Sequence, residues 1–120
     1  MQELEISQNK PLCIQTTLRI MGDKWTPLIL RALTDGYTTF TALESALEAI
    51  SPRTLSQRLD MLESEAIVTK VSYCERPPRY KYVLTSKGLE LQDVLQKMAE
   101  WGGKYYADSP LDCSTDKFND

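Results

Sequence analysis

The residues best equipped for chemistry lie in one short stretch, ISPRTLSQRLDMLESEAIV, from Ile50 to Val68. Its spacing predicts a helix with Leu55, Leu59, Leu62 and Ala66 on one side. Arg53, Gln57 and Asp60 stand on the other, flanked by Thr54 and Ser56. A guanidinium fork can pair with guanine O6 and N7, and a side-chain amide with adenine. Short hydroxyls reach base edges, thymine methyls or phosphates. Reading of bases in a DNA groove is therefore one use of this face. An ordinary solvated helix face is the other.

Other chemistry is thinly provided. There is no histidine, which removes Ser-His-Asp and Cys-His catalysis, histidine general bases and histidine-containing zinc sites. Cys13, Cys74 and Cys113 lie far apart, with no C-x-x-C pair, so they form neither a disulfide framework nor a local metal knuckle. No glycine-rich phosphate loop is present. The expectation is a protein without catalytic residues, metal or cofactor.

Net charge is −3, which gives nucleic-acid binding no general support. Its distribution does more. From Ser51 to Lys87 seven Lys/Arg face four Asp/Glu, a net of +3, and the remainder carries seven against thirteen, a net of −6. A local basic field of this kind is what a phosphate-facing surface needs.

The elements that position these residues follow from the pattern. With 120 residues and 42% apolar content, one soluble domain is expected. No run approaches the ~20 apolar residues of a membrane span. The opening MQELEISQNK has no apolar segment of a secretory signal, so a cytoplasmic location is expected.

Ile14, Leu18 and Met21 predict a first helix from Pro11 to Met21, broken by Gly22. Asp23 is the candidate cap of a second, with Trp25, Leu28, Ile29, Ala32 and Leu33 on one face and Gly36 as its stop. A short third helix covers Thr41 to Glu48, with Leu43 and Leu47 inward and Phe40 just ahead of it. Ser51 caps the fourth and Pro52 opens it, where a missing N–H costs nothing. About three residues separate the third and fourth helices, the spacing of a helix-turn-helix.

The period then changes. IVTKVSYCE and RYKYVLT form a two-stranded hairpin, with Tyr80, Tyr82 and Leu84 alternating against Lys81 and Val83, and with Pro77 and Pro78 holding its tip out of the ladder. Thr85 caps a last helix, Ser86 to Tyr105, whose stripe is Leu91, Val94, Leu95, Met98 and Trp101. This order gives a mainly α fold with a small β-hairpin: a winged helix-turn-helix with extra N- and C-terminal dimerisation helices. Residues 11–106 make the domain, between a flexible arm, 1–10, and a flexible tail, 107–120. Ile14, Leu18, Met98, Trp101 and Tyr105 supply more apolar surface than a small core needs, which suits a dimer interface.

Four blocks in this order resemble the HxlR-type winged-helix transcription regulators of the MarR-like group. They are GDKWTPLILRAL (22–33), ISPRTLSQRLDMLE (50–63), ERPPRYKYVLTSKG (75–88) and EWG (100–102). The resemblance covers roughly Cys13 to Trp101. It implies a sequence-specific DNA-binding regulator, a repressor, reading a pseudo-palindromic operator as a homodimer. The chain departs from the family pattern at Thr39, Ala42 and Asp60, where arginine, glutamate and a basic residue are frequent. Those departures, with the net acidity, favour the alternative of a winged-helix protein-interaction module without DNA binding.

In the DNA-binding reading, Arg53, Thr54, Ser56 and Gln57, opened by Pro52, face the bases, and Arg76 and Arg79 bracket the wing prolines against the minor groove or phosphates. Arg58 suits a structural salt bridge, with Glu63 or another acid, as well as a phosphate. Lys81 suits a solvated strand face. Cys13, near Lys10 and in an opening helical turn, is a candidate reactive thiol. The family commonly carries a cysteine there, and some members use it to sense quinones, other electrophiles or oxidants. Ile14 replaces the proline frequent after it. The alternative for Cys13 is a small apolar contact. Cys74 and Cys113 are candidate resolving thiols. The partners implied are double-stranded DNA and a second copy, with a small-molecule or oxidant effector and no membrane.

Overall fold

The computed structural model describes residues 13–107. The N-terminal arm, Lys10, the helix start at Pro11, Cys113 and residues 108–120 of the expected tail lie outside them. The described elements are α1 (helical at 13–21), α2 (Trp25–Thr34), α3 (Phe40–Ala46), α4 (Pro52–Ser64), β1 (Val68–Glu75), β2 (Pro78–Leu84) and α5 (Ser86–Tyr106). This is the expected winged helix-turn-helix order.

The core is built where α2, α3 and α4 converge under the hairpin. Ile29, Leu30, Leu43, Leu55, Leu59 and Leu62 are completely buried, with Ile67 and Val68 closing the side below the wing. The inward face of α2 differs from the expected one. Thr26 and Leu30 are buried, whereas Leu28 is exposed and faces a shallow depression beside α5. Thr26 can be buried because its polar atoms are partnered: Asp23 Oδ1 accepts from Thr26 N at 2.7 Å and Asp23 Oδ2 from Thr26 Oγ1 at 2.8 Å. Asp23 thus performs the expected capping, although regular helix begins two residues later.

Gly36 ends α2 with φ 103°, its N–H bonded to Leu33 O and that of Tyr37 to Ala32 O. α3 starts one residue earlier than expected, at Phe40, and ends two earlier, at Ala46. Thr39 caps it by accepting from Ala42 N at 3.1 Å, so the threonine at a frequently basic position has a local role. The turn to α4 passes through Ala49 at φ 75°.

α4 begins as expected, with Ser51 Oγ accepting from Thr54 N at 3.0 Å and Pro52 in the first turn. Its expected stripe is corrected at one position. Ala66 is exposed and lies beyond the helix with φ 62°. There it makes the stop: Ala66 N donates to Glu63 O and Ile67 N to Leu62 O, the two bonds of a Schellman turn.

The wing is antiparallel, with Val68 opposite Leu84, Lys70 opposite Tyr82 and Ser72 opposite Tyr80. The register shifts between Ser72 and Cys74, leaving Tyr73 as the extra residue of a bulge. Pro78 is not outside the ladder as expected: it opens β2 opposite Glu75, at a strand start where a missing N–H is tolerated. Tyr82 is buried, while Tyr80, on the same face but nearer the tip, is exposed with Lys70 Nζ 5.1 Å from its ring centre. Burial pushes the Tyr82 phenol above its ordinary pKa, with nearby Lys70 opposing. Tyr82 N also donates to Thr38 O at 2.8 Å, tying the wing to the segment before α3.

Candidate nucleic-acid interface

The first two turns of α4 are anchored from behind and open in front. Leu55 and Leu59 hold them to the core. On the opposite side Ser51, Pro52, Arg53, Ser56, Gln57 and Asp60 are exposed and Thr54 is half-buried. The side chains of Arg53, Ser56 and Gln57 make no ion pair or hydrogen bond with other described residues. Thr54 is partly committed, since its hydroxyl accepts from Ser51 Oγ at 3.0 Å, but its own hydrogen remains to be donated. The helix therefore presents a guanidinium, an amide and two hydroxyls from its N-terminal end, where backbone amides also favour an anion.

Arg58 takes the structural option, and its acid is neither Glu63 nor any other residue of α4. Its Nε lies 2.7 Å from Asp23 Oδ2, in an ion pair whose N–H is not aligned as a hydrogen bond. Asp23 therefore joins three things: the start of α2, the buried Thr26 hydroxyl and α4. Sequence reasoning missed this partner because 35 positions separate the two residues and no periodicity connects them.

Arg76 and Arg79 are exposed at the wing tip and also lack ion-pair partners among the described residues. Lys81 lies within β2 opposite Val71 and is half-buried, so the expected solvated strand face is only partly exposed there. The structure thus brings Arg53, Thr54, Ser56 and Gln57 together on one helix end, and places Arg76 and Arg79 separately on the wing.

The residues assigned to pairing lie elsewhere. Ile14 and Leu18 on α1 and Met98, Trp101 and Tyr105 on α5 are all exposed in the single chain, Trp101 by 60%. Val94, a residue of the same apolar stripe not assigned to pairing, joins them at 45% exposure. Val94 lines one shallow depression of about 300 Å³ with Ile14, Leu18 and Cys13, so the two helical stripes adjoin. Trp101 and Tyr105 pack ring to ring at 5.5 Å. Cys13 is exposed and Cys74, on the wing, half-buried. Among the described residues no helix is long and apolar enough to cross a membrane, and no three metal-ligating side chains converge.

Comparison with known proteins agrees with this architecture. The sequence profile of the HxlR-like helix-turn-helix family matches residues 20–110. The HTH-type transcriptional regulator YodB of Bacillus subtilis is 31% identical over 104 residues, covering 87% of this chain and 93% of YodB. The solved reduced form of YodB superposes with a TM-score of 0.67 at 33% identity, over 76% of this chain and 89% of that one. A protein assigned to the MarR family of transcriptional regulators, from Enterococcus faecalis V583, gives 0.73 at 32% identity, over 81% and 88% of the two chains. The redox regulator HypR, in its reduced form, gives 0.71 at 31% identity, over 76% and 90%. The chain belongs to the HxlR-like helix-turn-helix family.

Proposed function

We propose that this protein is a DNA-binding transcriptional regulator that reads its operator as a homodimer, in the cytoplasm, and acts as a repressor. The observation that carries the reading is the recognition helix itself. It is clamped to the core by three leucines and Asp23, while Arg53 and Gln57 on its far side are left unengaged. Arg53 is assigned to a guanine, Gln57 to an adenine, and Thr54 and Ser56 to base edges or phosphates, with Pro52 setting the entry of the helix. Arg76 and Arg79 contact the flanking backbone or minor groove.

Pairing through α1 and α5, by Ile14, Leu18, Met98, Trp101 and Tyr105, would place two recognition helices about 34 Å apart, on successive major grooves. Cys13 is proposed as the residue through which an oxidant or electrophile acts. It is exposed, and the relatives HypR and YodB have been solved in oxidised and diamide-treated forms.

The test is a titration of the reduced protein on duplexes selected from a random pool, with excess competitor, at two salt concentrations. Arg53→Ala is expected to lose about 1–3 kcal/mol of base discrimination at one position. Arg76→Ala should instead weaken all duplexes alike and reduce the salt slope by about 0.9. Failure of the wild type to enrich any sequence would overturn the DNA-reading assignment in favour of a protein-interaction module. Unchanged affinity after diamide treatment would remove Cys13 from the mechanism.

A further inference from the structure

α4 and α5, the helices assigned above to DNA and to pairing, share no broad side-by-side face. They meet end to end, and the junction is polar. Three successive carbonyls leaving α4 are each taken by the residues that begin α5. Lys87 Nζ donates to Glu65 O at 2.6 Å. Thr85 Oγ1 donates to Ala66 O at 2.6 Å, with Ile67 O 3.1 Å away sharing its hydrogen. Thr85 N donates to Ile67 O at 3.0 Å. The same Thr85 hydroxyl accepts from Gly88 N at 3.1 Å and so caps α5. Gly88 is buried against this exit, and a Cβ there would strike Ile67 O.

Capping alone does not explain the arrangement. A cap needs only the lone pair that Thr85 offers to Gly88. The hydroxyl hydrogen and the Lys87 ammonium are aimed at the other helix, the ammonium at the negative end of its dipole. With the chain held at Glu65, Ala66 and Ile67, the direction of α4 is fixed relative to α5 through several short bonds. No single flexible turn is left to set it.

We infer that Thr85, Lys87 and Gly88 form a lock that sets the angle of the recognition helix to α5, and hence the half-site spacing the paired protein accepts. This rests on the DNA-reading and pairing assignments above. The three are positioning residues, remote from the bases.

The test uses Thr85→Val and Lys87→Met, with Thr85→Ser and Lys87→Arg as the conservative restorations. Each full-length variant is titrated on the selected operator and on versions with one or two base pairs added or removed between half-sites. The wild type is expected to favour one spacing by about tenfold or more, as misplaced base contacts are lost. Thr85→Val and Lys87→Met should remain folded and dimeric by sedimentation, keep wild-type affinity for a single half-site, and flatten the spacing preference. The two conservative variants should restore it. A wild-type spacing profile in both disruptive variants overturns the lock. So does a uniform loss at every spacing and at the single half-site, which reports stability only.

A second measurement separates this from failure of the DNA reading. Spin labels at Gln57→Cys and Gln96→Cys, in a chain whose three native cysteines are serine, report the α4–α5 distance without DNA. The labelled chain is diluted with unlabelled protein so that pairs within one chain dominate. A narrow distribution that broadens in Thr85→Val supports the lock even where no operator is found. Identical distributions overturn it.

Discussion

α4 and α5 carry the same kind of apolar stripe and do opposite things with it. On α4, Leu55, Leu59 and Leu62 are all completely buried within the chain. On α5, Leu95 is buried and Leu91 half-buried, but Val94, Met98 and Trp101 stand 45–60% exposed. The first helix spends its apolar face on its own core and offers a polar face outward. The second keeps part of its apolar face outward, continuous with Ile14 and Leu18 of α1. A contiguous exposed stripe with an aromatic cluster at one end fits the pairing surface proposed above. Periodicity fixes which residues share a face. It does not say what lies against it.

The largest effect that can break this comparison is expected at Leu59. Leu59→Ala should cost about 2–5 kcal/mol of unfolding free energy, because the side chain has no solvent-facing part and the helix is held on several sides. Urea unfolding measures it, and a loss under 1 kcal/mol by the same scale would mean that α4 is not anchored as described. Trp101→Ala should behave differently. The wild type is expected to show a melting temperature that rises with concentration, and the variant to lose about 2 kcal/mol or more of pairing free energy with its dilute-limit stability little changed. Sedimentation equilibrium with melting at two concentrations separates these. Equal destabilisation of Trp101→Ala at every concentration would make the α5 stripe internal after all.

What was legible in the sequence divides along the same line. Elements with a cap and a period were readable, as at Ser51–Pro52, Thr85 and the leucines of α4. The face of α2 was not, because Leu28 and Leu30 are both compatible with a helical stripe. Only the neighbours decide between them, and the buried Thr26 looked polar until Asp23 supplied its partner. The exposed side chains of the recognition helix could be nominated from residue type and spacing. The polar contacts that hold that helix, Asp23–Arg58 and Thr85–Lys87 with the α4 exit, join residues about 20 to 35 positions apart and leave no periodic trace. Long-range polar geometry is the part of the site that sequence pattern conceals.

Asp23 tests that concealed part. Asp23→Ala removes a cap, leaves the buried Thr26 hydroxyl without its acceptor and releases Arg58. The cap and the stranded hydroxyl together should cost about 2 kcal/mol, and the partly exposed ion pair adds less than a fully buried one would. Asp23→Asn, which keeps an acceptor for Thr26 N, should recover about half of that. Matching losses in the two variants would mean that charge, through Arg58, dominates over capping.

The smallest expected effect has an informative sign. If Ala66 belonged to the buried stripe of α4, Ala66→Gly would destabilise the protein by removing a packed methyl and loosening a helix. Instead Ala66 stands past the helix end, exposed, with φ 62°, where a Cβ crowds the backbone and glycine is free. Relief of that crowding is worth about 1 kcal/mol, and the greater freedom of glycine in the unfolded chain takes back part of it. Ala66→Gly should therefore stabilise by roughly 0.5 kcal/mol, read as a higher urea midpoint with an unchanged slope. Ala66→Val, which adds a branched Cβ in the same conformation, should move the midpoint the other way. A midpoint that falls with glycine would return Ala66 to the packed face and erase the Schellman stop that lets the chain turn from α4 into the wing.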